Sequence, residues 1–377
     1  MRRKITSNFV NWVDGMKLSK DQFITQERAI RDHLRDSVEL SLSDHHFGLL
    51  EPVDLSFHGR EARLIACRAV CRDGSRIEHL PEHEQAVDAD LSTYQNPEHE
   101  GRSFYLLAMP QHEASEGLGP YVGEPPRQET CVPRMKLLVM PDDRLNATAL
   151  RSAMLPIARF SVQQGKVVPA ADYLAPWFQI LGCPDLEKLK QDLEETLNVV
   201  SGGSRMVLNK LYDKPREIQD RFPNRNYEHW AIHTLNSISR LKADLQLGME
   251  RPYQLVRAVM ELANAIEGAW ASMPEREEFM KQMEGIGNWA RLVRGMQAAM
   301  SKLASFRYQH WDLNPARELC AAFLEQARLV HAQLGELNRF EPVTLLRDVP
   351  QATQQEVIKP VKTEPEPGQF KWNQTKP

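Results

Sequence analysis

Two histidines four residues apart are the first candidates for metal binding in this chain. His79 and His83 lie in the segment EHLPEHE, and on a helix this spacing would place both imidazoles on one face, where they could bind zinc. Pro81 lies between them, and proline disfavours the helix that such a site needs. The segment is therefore predicted to be a loop, and we assign no metal ligand.

Cysteine and histidine could also supply a nucleophile and a general base. Cys67 and Cys71 are four residues apart in IACRAVCRDG, whose alternation predicts a strand with both thiols on one face. No second pair lies at zinc-site spacing nearby, so both are predicted to be buried. His45 and His46 follow Asp44 at a predicted corner between a helix and a strand, without a recognisable nucleophile or acid partner.

Sequence signatures of catalysis are absent. The chain has no glycine-rich phosphate loop, nucleophile elbow or zinc-protease helix. Its five cysteines are too few and too scattered for a disulfide framework in 377 residues. We therefore predict a protein that is not an enzyme, with no catalytic residue, metal or cofactor; an enzyme that uses cysteine or histidine is the alternative from another class.

The charge balance argues against nucleic acid and membranes as partners. The formal net charge is -4, and the isoelectric point is near 6.3, so no general attraction to polyanions is expected. The apolar stretches are shorter than the roughly 18 residues of a spanning helix, and the N-terminus MRRKITSNFV lacks the apolar region of a signal peptide. We expect a cytoplasmic protein with no direct membrane insertion.

The N-terminal segment NFVNWVDGMKLSKDQFITQE begins with an extended pattern. Apolar and polar residues alternate on both sides of the turn signal Asp14-Gly15. Such a segment is predicted to be a strand that adds to a sheet edge, in this chain or in a partner. We predict a protein interface there, formed by Val10, Trp12, Met16 and Leu18.

A helix is predicted to follow. Ser19 and Gln22 fit a capping box, and apolar residues then recur on one helical face as far as about Leu42. Residues 1–43 are therefore predicted to form an N-terminal strand and helix. The apolar face consists of Phe23, Ile30, Leu34 and Val38.

The rest of the chain divides into a β region and a helical region, which predicts an α+β fold. Residues 44–183 contain apolar runs of strand length separated by turns, typical of a β-sandwich-like domain, with a long loop over residues 111–130. Residues 184–340 show helical periodicity and predict an antiparallel bundle with apolar residues left for self-association. We predict one helix that ends at Ser201-Gly202-Gly203, a second over residues 204–220, and four more, of which the last two begin near Ser272 and Asn314.

The C-terminal residues 341–377 are predicted to be a flexible tail. Their Pro, Gln, Glu and Lys content cannot bury enough apolar surface for folding, so we expect disorder unless the tail is bound. Phe370 and Trp372 are two residues apart and would share one face of an extended peptide. We predict that this pair binds a sheet edge or a groove of a partner.

Several of these segments, taken in order, resemble the TssK family, the baseplate subunits of bacterial type VI secretion systems. In that family a V-x-W-x-E-G-M-x-L segment precedes P-Q-H-F-Q. Asp14 stands where Glu is usual, and Lys20-Asp21-Gln22 replaces Pro-Gln-His. The matching residues are Val10, Trp12, Gly15, Met16, Leu18, Phe23 and Gln26.

Weaker matches extend the resemblance to about residue 300. HHFGLLEP, CRDGSRI and SFYLLAMP are similar to segments of the family's first domain. LRSAMLPIARF and DYLAPWFQILGCPDLEKLKQDLEETL resemble its end and the entry to the helices. Arg251 stands where the family has His in its H-P-x-x-L-Y segment.

The resemblance implies a β-sandwich shoulder, a helical neck and homotrimers bound to the wedge proteins TssF and TssG. The implied role is mechanical: an adaptor between the baseplate wedge and the membrane-docking machinery, in the cytoplasm at a baseplate docked to the inner membrane. The family usually adds a head domain of about a hundred residues, whereas 39 residues follow Asn338 here. The tail is therefore expected to bind a membrane-complex or adaptor protein. A phage-tail-like receptor-binding or adaptor subunit of another contractile assembly is the alternative.

Overall fold

The computed structural model describes residues 5–82, 85–111, 134–146, 150, 153–213, 225–274, 276–277, 281 and 288–336. All of them lie in the first of two compact units, residues 1–340. The second unit, residues 341–377, lies outside the described residues, as does most of the predicted loop over residues 111–130. The predicted interface residues Phe370 and Trp372 therefore stay a prediction.

An extended arm and one helix form the N-terminus. Residues 5–19 have no regular secondary structure except the predicted turn at Asp14-Gly15, and helix α1 spans Lys20–Ser41. The Ser19 N–H donates to Gln22 Oε1 at 2.8 Å, which satisfies a main-chain donor that the first turn of a helix leaves free. The predicted helix is confirmed. None of the described strands pairs with the arm. The prediction that the arm adds to a sheet of this chain, one of the two possibilities considered, is therefore wrong.

Nine described strands form two antiparallel sheets. In the first sheet the long strand β3 pairs with β1, β2, β4 and β5, and the second sheet has the order β7-β6-β8-β9. The ring centroids of Phe57 and Phe160, one from each sheet, lie 6.2 Å apart. The strands are β1 Gly48–Leu49, β2 Asp54–His58, β3 Glu61–Val70, β4 Arg76–His79, β5 Val87–Asp90, β6 Ser103–Gln111, β7 Arg134–Pro141, β8 Leu155–Gln163 and β9 Lys166–Pro169.

The turn between β3 and β4 shows how the sequence sets the local geometry. Gly74 has φ +84, a conformation that glycine adopts without steric cost. The Ser75 N–H donates to Asp73 Oδ1 at 3.0 Å, and the Cys71 N–H donates to the Ser75 carbonyl at 2.8 Å. The hairpin predicted from CRDGSRI is confirmed, and it places Asp73 and Gly74 beside α1.

In the described part of the chain, five further helices with defined ends follow the sheets, and the α+β class is confirmed. Helix α2 packs against α3 and α6, α3 packs against α4, and α5 packs against α6. Ser272 is the C-cap of α4, and residues 276–277 and 281 are helical. Because most of residues 275–287 lie outside the described part, the predicted helix start near Ser272 stays a prediction. The division at residue 183 stays a prediction. These helices are α2 Pro184–Tyr212, α3 Arg225–Gln246, α4 Pro252–Ala271, α5 Trp289–Ser305 and α6 Asn314–Glu336.

The predicted helix break at Ser201-Gly202-Gly203 is also wrong. Helix α2 continues through these residues to Tyr212, while residues 214–220 of the predicted second helix lie outside the described range. A Cβ atom on Gly203 would lie under 3.0 Å from the His331 main-chain oxygen of α6. Glycine therefore permits a close approach of two helices, and the packing outweighs its low helix propensity.

Buried polar contacts join the helices to the sheets. Arg159 on β8 forms ion pairs with Asp312, which precedes α6, and with Asp172, each at 3.0 Å. The Tyr173 hydroxyl donates to the Trp311 carbonyl at 2.9 Å. An ion pair between partly buried groups persists only when hydrogen bonds offset their desolvation, and the Asn314 N–H supplies one to Asp312 Oδ1 at 3.1 Å.

Candidate protein-interaction surface

The beginning of the arm is held to α1 by one buried carboxylate. Asp32 Oδ2 accepts hydrogen bonds from the Thr6 N–H at 2.8 Å, the Thr6 hydroxyl at 3.0 Å and the Ser7 N–H at 3.0 Å. Its other oxygen, Oδ1, accepts from Arg35 at 2.6 Å. The Thr6 N–H, followed by the Ser7 N–H and Arg35, holds the pKa of Asp32 well below its usual range. The arm is therefore anchored by a charged acceptor.

Further contacts continue along the helix. The Val10 N–H donates to Gln26 Oε1 at 3.0 Å, and the Trp12 ring lies 5.9 Å from the ring of Phe23. The start of the arm contacts Asp32 and His33, and its later residues contact Gln26 and Phe23, so the arm lies antiparallel along the helix. Main-chain N–H groups of the arm donate to side chains of α1. Because these donors are already used, the arm forms no strand.

The arm and α1 expose a concentrated apolar surface. Ten of the seventeen exposed large hydrophobic residues in the described part of the chain belong to this segment. Monomeric soluble proteins rarely display large contiguous apolar patches without a binding role. We call these ten residues the arm–helix surface: Ile5, Phe9, Trp12, Val13, Leu18, Phe23, Ile30, Leu34, Val38 and Leu40.

Two of the four predicted N-terminal interface residues belong to the arm–helix surface, and the other two do not. The side chains of Trp12 and Leu18 are 44% and 61% exposed, whereas Val10 and Met16 are half-buried. The predicted apolar face of α1 is correct as a pattern, and the structure leaves it largely open to solvent. The sequence analysis did not identify Phe9 as part of the exposed surface or Asp32 as a residue that holds the arm. Gln26, which also holds the arm, could be found from the sequence only through its match to the family segment.

A cleft separates part of α1 from the sheets. It has a volume of about 630 Å³ and lies between α1, the β3–β4 hairpin and the end of β6. Leu34 and Val38 of α1 face it from one side, and Met109 and Pro110 from the other. The Val38 side chain lies against Gly74 of the hairpin. Among the described residues, part of the apolar face of α1 thus has no packing partner.

Burial makes the described cysteines poor nucleophiles. Cys67, Cys71, Cys183 and Cys320 are buried and carry free thiols. Desolvation raises the pKa of Cys67 and Cys320 to about 12 each. Because the thiolate is the reactive form, these side chains are suited to packing, as predicted for Cys67 and Cys71.

The half-buried His45 lies beside the buried His310, with ring centroids 5.9 Å apart. The predicted corner is present, with a turn at Asp44 and His45. His310 Nε2 donates to the Phe47 carbonyl at 2.8 Å, so the neutral ring accepts at Nδ1 from the Tyr308 hydroxyl at 2.6 Å. Burial lowers the pKa of His310 to about 3. Both ring nitrogens of His310 are therefore occupied, which argues against His310 as a general base. Of the two candidates from the sequence, His46 accepts at Nδ1 from the Ser43 N–H at 3.3 Å.

The remaining candidate metal ligand also differs from its prediction. His79 is buried at the end of strand β4 rather than in a loop, because the strand register places it opposite Cys67. His83 lies outside the described residues. Within the described ranges, no group of three or more His, Cys, Asp and Glu side chains is arranged to hold a metal ion.

None of the helices described is both long and apolar enough to cross a membrane.

Replacing Asp32 by alanine is expected to release the arm. The change removes the three hydrogen bonds that Asp32 accepts from the arm, and bonds to charged groups contribute about 1.5–3 kcal/mol each. Hydrogen–deuterium exchange at the Thr6 and Ser7 amides should accelerate, and trypsin should cut faster after Lys17. The control is Asp36→Ala, one turn further along α1. Equal exchange in the two variants would contradict the anchoring role.

No family model and no curated protein matches the sequence. Among solved structures, TssK of the type VI secretion system of EAEC, in complex with a nanobody, is 18% identical over 81% of this chain and 68% of that chain, with a TM-score of 0.48. A chain of the TssK–TssF–TssG baseplate subcomplex is 18% identical over 86% of this chain and 99% of that one, with a TM-score of 0.47. A chain of the type VI secretion system baseplate complex is 19% identical over 85% and 99%, with a TM-score of 0.48.

Proposed function

We propose that this protein is a structural baseplate component of a type VI secretion system, a homotrimeric adaptor that links the TssF–TssG wedge to the membrane-docking machinery. One observation carries the proposal. All seven residues that match the family's N-terminal signature lie on the arm or on α1, the segment that concentrates exposed apolar side chains. A recognition segment of this kind needs a partner surface to bury it.

The arm–helix surface has the chemistry of a protein interface. Stable interfaces bury about 800 Å² on each partner around a few large apolar anchors, and this surface offers three exposed aromatic side chains, Phe9, Trp12 and Phe23. The cleft beside Leu34 and Val38 adds a concave region into which a wedge side chain could insert. We therefore assign the wedge contact to this surface.

The trimer and the docking partner are further parts of the proposal. The long helices were expected to have apolar residues to spare, but α5 buries Val293, Met296 and Met300 within the chain. Self-association through the bundle would have to use scattered exposed residues such as Met206 and Leu329. The trimer therefore rests on the family resemblance, as do the cytoplasmic location at the inner-membrane-docked baseplate and the tail contact through Phe370 and Trp372.

Two other functions are weighed against this one. A phage-tail-like receptor-binding or adaptor subunit would use the same fold, and it would not bind TssF–TssG. An enzyme acting through cysteine or histidine is disfavoured by the raised thiol pKa of the buried Cys67 and Cys320 and by the occupied nitrogens of His310. Binding to the purified wedge separates these alternatives from the proposal.

The test is Trp12→Ala in a capture assay with TssF–TssG. If the Trp12 ring were buried inside the chain, replacing it by alanine would lower the stability by about 3 kcal/mol. Because Trp12 is 44% exposed, we expect a stability change below about 1 kcal/mol and a loss of wedge affinity of at least tenfold, about 1.4 kcal/mol. Thermal denaturation and pull-down measure the two effects.

The matched control is Leu247→Ala, which removes an 85% exposed apolar side chain outside the arm–helix surface. This variant should bind the wedge like the wild type. If Trp12→Ala also retains full wedge capture, the arm is not the contact. If the wild-type protein captures no wedge at all, the baseplate function itself is refuted.

A further inference from the structure

Two histidines on helix α3 lie one turn apart with their rings close together. His229 and His233 have ring centroids 4.1 Å apart and an angle of 37° between the ring planes. Residues at i and i+4 are neighbours on a helix surface. His229 is half-buried and His233 is exposed, so an ion from solvent can reach the pair.

A hydrogen-bond chain orients the first of these rings. The Ser272 hydroxyl donates to the Ala269 carbonyl at 3.2 Å, which leaves its oxygen to accept from His229 Nε2 at 3.0 Å. His229 therefore carries its hydrogen on Nε2 and has a free lone pair on Nδ1. Metal-binding histidines usually donate their second ring nitrogen to such a partner, which sets the tautomer and the ring orientation.

The support for His229 comes from a different helix. Ser272 is the C-cap of α4, and its N–H donates to the Gly268 carbonyl at 3.0 Å. The ring on α3 is thus held against the end of α4. Its Nδ1 is left facing away from this hydrogen bond and can bind a metal ion when the ring is neutral.

We propose that His229 and His233 bind a divalent late transition metal ion through their imidazole nitrogens. Imidazole ligands suit copper, nickel and zinc, and for a given site Cu²⁺ binds most tightly among these ions. Water would complete the coordination, since the pair supplies two protein ligands. The site is independent of the arm–helix surface and of the proposed wedge contact.

The experiment titrates the full-length protein with Cu²⁺ at pH 7.5 and records electron paramagnetic resonance spectra. The wild type should take up one ion whose spectrum shows coupling to two imidazole nitrogens. His233→Ala, an exposed position, should weaken this ion's binding by roughly tenfold or more. Ser272→Ala should weaken binding by about tenfold through loss of the orienting hydrogen bond. Circular dichroism checks that each variant is folded.

The control is His58→Ala, which removes an exposed histidine at the end of β2. It should leave the two-nitrogen spectrum and the affinity unchanged. The proposal is overturned if the wild type shows no two-nitrogen species, or if His233→Ala binds the ion as tightly as His58→Ala does. A site elsewhere in the chain would give the second of these results.

Discussion

Replacing Gly203 by alanine is expected to destabilise the protein by about 3 kcal/mol or more. The added Cβ would lie under 3.0 Å from the His331 main-chain oxygen, and a main-chain atom of α6 cannot move aside as the end of a side chain can. Helices α2 and α6 would have to separate, which would weaken apolar packing such as that of Leu197 and Val330. Unfolding in urea measures the loss.

The adjacent glycine gives a matched control. A Cβ on Gly202 meets no atom within 4 Å, and alanine is the better helix former by about 1 kcal/mol. Gly202→Ala should therefore stabilise the protein, by about 0.4–1 kcal/mol. Two identical substitutions at neighbouring positions are expected to have opposite signs. If both variants were stabilised, helix propensity alone would govern this region and the close approach of α2 to α6 would be refuted.

A steep loss of stability is expected between pH 6 and pH 4. His310 and His331 are buried in the neutral form, and burial lowers their pKa from 6.5 to about 3 and about 4. The unfolded chain takes up these protons below pH 6.5 and the folded chain does not. The two groups therefore stabilise the fold fully above pH 6.5, and stability falls as the pH drops below it.

The size of this effect follows from proton linkage. Each histidine contributes about 1.4 kcal/mol per pH unit where only the unfolded state is protonated. Together they should remove about 5 kcal/mol between pH 6 and pH 4, a large part of the total stability of an ordinary domain. Chemical denaturation at several pH values measures the slope. Below pH 4, protonation of Asp32 should lower the stability further. The pKa of Asp32 is lower in the folded chain, so its contribution to stability is also lost as the pH falls.

Glutamine substitutions separate the two histidines. In His310→Gln the amide can still donate to the Phe47 carbonyl, yet it takes up no proton, so the slope between pH 6 and pH 4 should fall by about half. His331→Gln should give a similar reduction. His45 and His46 also have lowered pKa values through burial, and a slope that stayed unchanged in both variants would assign the pH dependence to them instead.

Several elements could be predicted because their signals are local in the sequence. The period of the apolar residues predicted α1, α3, α4 and α6, the capping box Ser19–Gln22 set the start of α1, and Asp73-Gly74 marked the β3–β4 turn. These features depend on main-chain preferences and on contacts over three or four residues, which a single sequence displays directly.

Tertiary structure decided what lies opposite each apolar face. The same glycine that predicted a helix end lets α2 approach α6, because the atom that fills the space belongs to His331, far away in the chain. The alternating arm forms no strand with this chain because Asp32 and Gln26 take its main-chain donors. The period of α1 indicates an apolar face but does not reveal that the sheets leave it open. Such outcomes depend on contacts between residues distant in sequence, and local periodicity carries no information about them.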